Sequence, residues 1–198
     1  MSPALFSLIS LIFLAAITPG PNNFIVLGLS AQKGMAASLL PIAAILCGTQ
    51  FVLLLTRFGF EAAFNAVDWL RPLMVIIGCC FLLWASIKMI FEKKTSLHQP
   101  AQSYSFIGLF FFQVLNPKTW ILVGTSFAAF SAMSVGENLK SFYLGLIIFI
   151  ITTPCLVLWA LLGRYIRTHL SPDFSGKYLQ VGLGLAMMMS VLGLMTVA

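Results

Sequence analysis

The sequence predicts an all-α polytopic membrane protein: six transmembrane helices arranged as an inverted 3+3 repeat, with helices 1 and 4 broken. Three observations predict it. The 198 residues are 60% hydrophobic and 8% charged, with a mean hydropathy of +1.03, whereas soluble domains carry about 25% charged residues. Six apolar runs of membrane-crossing length are joined by short polar links. A helix-breaking motif in the first run returns, 96 residues later, in the fourth.

A span needs roughly 20 apolar residues to cross a hydrocarbon layer of about 30 Å. The runs that qualify lie at about 3–29, 35–57, 70–91, 105–131, 141–163 and 178–197. The first begins "MSPALFSLISLIFLAA", which lacks the positive n-region of a signal peptide and runs on uncharged to Gln32, so it reads as a retained span. The links "AQKG", "FGFEAAFNAVDWLR", "EKKTSLHQPAQ", "SVGENLK" and "RYIRTHLSPDFSGK" are too short for a soluble domain, so residues 1–198 form a single transmembrane domain.

Basic residues favour the cytoplasmic side of a membrane. The odd-numbered links and their flanks hold Lys33, Lys88, Lys93, Lys94, Arg164, Arg167 and Lys177, against Arg57, Arg71 and Lys140 on the other side. Seven against three places the odd links in the cytoplasm and both termini outside. Loop placement of the basic residues also accounts for the net charge of +6 without nucleic acid. Cys47, Cys79, Cys80 and Cys155 lie in apolar runs with no CxxC, so they read as small packing residues rather than a redox or zinc motif.

In the first span, Thr18-Pro19-Gly20-Pro21-Asn22-Asn23 is a poor helix sequence. Each proline removes a backbone donor, and Gly20 between them adds flexibility. Carbonyls near residues 15 and 17 lose their partners, at several kcal/mol each in lipid unless something else satisfies them. The break must therefore face protein or a water-filled cavity. One reading is a structural kink capped by Thr18, Asn22 and Asn23. The other is a ligand site.

The second reading gains from the repeat. "PNNFIVLG" at 21–28 lies over "PKTWILVG" at 117–124, matching Pro21 with Pro117, Ile25 with Ile121 and Gly28 with Gly124. Three spans per half would invert the second half relative to the first, as in many secondary transporters, whose interrupted helices flank the ligand. The second copy, "QVLNPKTW", supplies Gln113, Asn116, Pro117 and Lys118. Lys118 is the lone charge between Thr95 and Gly136, and a lysine at mid-span costs roughly 2.5–3.5 kcal/mol even on a mild scale. Snorkelling is the alternative, but a central lysine has as far to climb either way. With two restarted helix N-termini, its ammonium would make an electropositive focus suited to a carboxylate. Thr49 and Gln50 are weaker candidates, since a lone glutamine in a membrane helix more often joins helices.

Glu61, Asp68, Glu92, Glu137 and Asp173 fall in links or at span ends, as do His98 and His169. If protons are coupled, Lys118 or the ligand must titrate, or Asp68 must lie deeper. There is no nucleophile–base pair, phosphate loop or metal cluster, so neither an enzyme nor a cofactor is expected. "GLGLA" at 182–186 leaves a homo-oligomer open.

With TPGPNN in the first span and LNPK in the fourth, the chain resembles the lysine exporter (LysE) family across its length. "TPGPNN" and "FFQVLNPKTWIL" look most like its homoserine/threonine and cysteine/O-acetylserine exporter branch. The resemblance implies a bacterial inner-membrane exporter of amino acids or small zwitterionic relatives, driven by the proton gradient as an antiporter. The motif positions it carries over are Thr18, Pro19, Gly20, Pro21, Asn22, Asn116, Pro117 and Lys118. The expected mechanism is alternating access. A passive channel and a non-transporting accessory protein are the competing readings.

Overall fold

The computed structural model describes residues 3–59, 105–131 and 137–169, with single positions within 66–87 and 181–189. The spans expected over 70–91 and 178–197, and most of the link charges, lie outside the described residues. Among the described residues every regular element is helical. They are α1 (Pro3–Ile17), α2 (Pro21–Lys33), a 3₁₀ turn (Met35–Ser38), α3 (Leu39–Arg57), α4 (Phe106–Leu115), α5 (Pro117–Ser131) and α6 (Glu137–His169).

The punctuation of the chain explains these boundaries. Pro19 and Pro21 stop α1 and open α2, and Pro117 stops α4 and opens α5. Pro21 and Pro117 each stand first in their helices, where no intrahelical donor is needed. The chain bends by 51° between α1 and α2 and by 64° between α4 and α5. Gly34 ends α2 at φ +92°, its N–H on the Ser30 carbonyl at 2.9 Å, a left-handed backbone that glycine enters without strain.

The 3₁₀ turn and α3 together, Met35–Arg57, are long and apolar enough to cross a membrane, as is Ser141–His169 of α6. Each bent pair passes the same test when its two helices are taken together. α6 runs beyond the span expected at 141–163, because after Gly163 no helix breaker precedes Pro172. Its extra turns carry Arg164 and Arg167. The Arg167 guanidinium comes so near Gly34 that a Cβ there would lie 3.0 Å from Nη1, so the first link sits beside the basic end of α6.

α2 is the inner helix. Asn23 through Ala31 are all buried, and α2 packs chiefly along α6. Lipid gives helices no hydrophobic reason to associate, so small residues and interhelical hydrogen bonds matter more. Ser30 Oγ donates to the Ala160 carbonyl at 2.6 Å. Gln50 Nε2 donates to the Gly145 carbonyl at 3.1 Å, so Gln50 joins α3 to α6. A Cβ on Gly163 would strike the Leu27 carbonyl and come within 2.9 Å of Ser30 Cβ, and neither Leu27 nor Ala31 backbone can yield cheaply. Overpacking of this kind costs about 1–3 kcal/mol. Gly163→Val should therefore lower the melting temperature of the detergent-solubilised chain by about 5 °C; an unchanged melting temperature would mean that α2 and α6 can separate freely.

Two apolar clusters hold the bundle. One joins Leu8, Ile12, Val52, Leu53, Leu122, Val123, Phe130, Leu144 and Ile148; the other joins Val26, Ile42, Ile45, Leu46, Leu156 and Ala160. Phe6, Phe13 and Leu14 of α1 and Phe142, Phe149, Ile150 and Leu158 of α6 stay exposed. Apolar surface on that scale is an aggregation liability in water and a normal face in lipid.

Candidate functional site

The first break is closed by side chains, one carbonyl after another. Thr18 Oγ1 donates to the Leu14 and Ala15 carbonyls at 2.7 and 3.0 Å. Asn23 Nδ2 donates to Ala16 at 3.1 Å and to Thr18 at 2.7 Å. The indole N–H of Trp159, from α6, reaches the Ile17 carbonyl at 3.2 Å. Lys118 Nζ donates to Thr18 at 2.6 Å and to Pro19 at 3.4 Å. The Gly20 carbonyl takes the Phe24 N–H at 3.0 Å. Every carbonyl from Leu14 to Gly20 thus has a donor, as apolar surroundings demand.

This changes two details of the sequence reading. Gly20 has φ −169° and ψ 177°, an extended backbone open to any residue. What glycine supplies there is space rather than flexibility: a Cβ would lie 2.8 Å from Lys118 Nζ and push the end of that side chain aside. Lys118 does not stand alone as a bare positive charge. It lies against the carbonyl end of α1, where the helix dipole is negative and a cation is favoured.

The second break has similar chemistry. Asn116 Oδ1 accepts the Lys118 backbone N–H at 3.1 Å and caps α5. The Trp120 indole donates to the Val114 carbonyl at 2.7 Å. The start of α2 differs, because its cap residue is Gly20 and offers no side chain.

One amide pair ties the breaks together. Asn22 Nδ2 donates to Gln113 Oε1 at 2.9 Å, and Gln113 Nε2 donates back to Asn22 Oδ1 at 3.0 Å. Gln113 also donates to the Leu109 carbonyl at 3.2 Å and accepts Thr119 Oγ1 at 2.9 Å. Gln113 is wholly buried, in space that Gly48 leaves open: a Cβ at Gly48 would lie 2.6 Å from Gln113 Cγ.

Between the breaks lies a cavity of about 30 Å³. Of the residues singled out in the sequence, Gly20, Pro21, Asn22, Asn23, Asn116 and Lys118 line it. Thr18, Pro19, Gln113 and Pro117 do not; they shape the breaks behind it. Thr49, a weaker candidate, also lines it, whereas Gln50 does not. Thr119 and Thr152 went unread, as did the apolar wall of Ile45, Leu122 and Leu156 drawn from both clusters. Thr119 sits inside the quoted "NPKTW", but nothing in sequence marks Thr152 or Trp159. A cavity of this size suits about two waters, so an amino acid needs the surrounding helices to part. Among the described residues no group of His, Cys, Asp or Glu could hold a metal.

Comparison with known proteins places the chain in a family. The chain is 24% identical over 146 residues to the threonine efflux protein of Escherichia coli (strain K12), covering 69% of this chain and 71% of that one. It is 25% identical over 142 residues to the threonine efflux protein of Salmonella typhi, covering 67% and 69%. No solved structure matches. The family pattern of LysE type translocators matches residues 13–197, a stretch that holds both prolyl breaks, Lys118 and the cavity between them. This chain therefore belongs to the LysE type translocator family, whose members are transporters rather than enzymes.

Proposed function

We propose that the chain exports a small amino acid across the bacterial inner membrane by alternating access, and that the ligand binds in the cavity between the two breaks. The observation that carries this reading is convergence: one cavity takes the Lys118 ammonium, the start of α2 without a side-chain cap, and the amides of Asn22, Asn23 and Asn116. Lys118 places two of its three N–H groups on carbonyls and keeps a third for a carboxylate, beside the positive end of α2. Asn23 uses its Nδ2 on the chain, which leaves Oδ1 to accept from the ligand ammonium. Pro19, Gly20, Pro21 and Pro117 shape the walls, and Thr18 and Gln113 hold them.

Family membership and the threonine efflux relatives support an amino-acid cargo, with threonine the first to try. The matched breaks at Pro21 and Pro117 support six spans as an inverted repeat, rocking about the two bends. The closeness of the first link to the basic end of α6 supports placing both in the cytoplasm, with the termini outside. Among the described residues no Asp or Glu lies within a span. Within the described residues a coupled proton would be carried by Lys118 or by the ligand's own amino group; Asp68, the third candidate, lies outside them.

The test is uptake of a radiolabelled amino-acid panel into proteoliposomes, with and without a pH gradient. Accumulation of a small polar amino acid against its gradient, only when the pH gradient is imposed, is the expected result. Equilibration without accumulation would identify a passive facilitator. No flux, together with no thermal stabilisation by any amino acid, would leave an accessory protein.

A further inference from the structure

The described threonines share a habit. Thr18, Thr49, Thr56, Thr125, Thr153 and Thr168 each donate Oγ1 to the carbonyl four residues earlier. Thr119 donates to Gln113 instead. Back-bonding of this kind is the default for a hydroxyl on an apolar helix, because it satisfies the donor locally. Thr152 departs from it. Its side chain is 7% exposed, its Oγ1 has no hydrogen-bond partner, and it lines the cavity between the breaks. Leaving a buried hydroxyl unpaired costs stability, so such a group calls for an explanation.

Its surroundings supply one. The α3 and α6 part of the cavity is built by Ile45 and Thr49, one turn apart, and by Thr152 and Leu156, one turn apart. Thr49 has already given its proton to Ile45. Of these four residues two are apolar and two carry hydroxyls, and the Thr152 hydroxyl alone is uncommitted. The groups placed for a ligand's carboxylate and ammonium come from α2 and α5. α3 and α6 are left to face its side chain.

We infer that Thr152 is a specificity-determining residue: its hydroxyl hydrogen-bonds the polar head of the ligand's side chain and favours a small hydroxyl-bearing amino acid over its apolar isostere. The inference rests on the cavity being the ligand site. An unmet hydroxyl is paired by threonine and stays unmet with valine, which has the same shape. Recognition of this kind discriminates through the group left unpaired.

The experiment compares threonine and valine as ligands of the full-length chain, by thermal shift and by proteoliposome uptake, in the parental protein and in T152V, T152S and S126A. Ser126 Oγ is the control, buried and without a partner but not part of the cavity wall. The expected result is that T152V loses about fivefold of the threonine-over-valine preference, the worth of one net hydrogen bond, while its unliganded melting temperature holds or rises. T152S should keep the preference, and S126A should leave it unchanged. If T152V does not fold, T152A carries the same comparison against T152S. An unchanged preference in T152V would overturn the inference and leave the cavity assignment standing, as would equal loss of both ligands alongside a fall in stability. A parental chain that binds neither amino acid would overturn the cavity assignment itself.

Discussion

Lys118→Met should abolish export while leaving the fold at least as stable as the parent. The two halves of that expectation have separate causes. Methionine removes the donor that reaches Thr18 at 2.6 Å and Pro19 at 3.4 Å. The Thr18 carbonyl keeps Asn23, so only Pro19 is left unmet, at about 1–3 kcal/mol for a buried acceptor and less for one partly exposed. Against this, the membrane no longer holds a cation, worth roughly 2.5–3.5 kcal/mol. The gain equals the loss or exceeds it by about 1 kcal/mol, so the melting temperature should hold or rise by a few degrees. Export should fall to background, because the cavity has lost its ammonium. Lys118→Arg should rescue little, since the ammonium already packs so near Gly20 that a Cβ there would lie 2.8 Å from it, and the guanidinium is larger. Parental export by Lys118→Met would remove the lysine from the site. Collapse of the fold would show that the lysine's main role is to cap α1.

Gln113→Leu is expected to be the most destabilising single change at the breaks. It strips two hydrogen bonds from Asn22 and one from the Thr119 hydroxyl, in a place with no exposure at all. A buried group left this way costs about 1–3 kcal/mol; the cost is full for Thr119 and partial for the half-buried Asn22, so a loss of about 2–4 kcal/mol follows. Pairing it with Asn22→Leu should recover part of that loss, since one orphaned partner disappears. Chemical unfolding of both single variants and the double variant in detergent closes the cycle, and a coupling of about 1–3 kcal/mol is expected for groups in direct contact. Strict additivity would mean that the amide pair does not form in the membrane.

These residues also show how far a sequence can be read. The breaks were legible because proline has no N–H and lipid offers no substitute donor; Pro19, Pro21 and Pro117 fixed their positions at once. The donors that close them were not. Trp159 caps Ile17 from 142 residues away, and no local pattern announces such a partner. Lys118 was legible as an anomaly, but its carbonyl partners depend on how α1 and α5 meet. Gly20 read as added flexibility because space filled by a distant side chain leaves no mark on its neighbours. Thr152 passed unnoticed because threonine in an apolar helix normally answers its own backbone, and only coordinates reveal the exception.

The Asn22–Gln113 pair has a mechanical side as well. Asn22 stands on the first turn after one bend and Gln113 on the last turn before the other. Straightening either bend alone would drag the amides apart and leave the wholly buried Gln113 without its mate. The two joints are therefore geared. Under the proposed alternating access they would turn together, as a pair of doors on a common shaft, and guard against the one arrangement such an exporter must avoid, with both ends ajar.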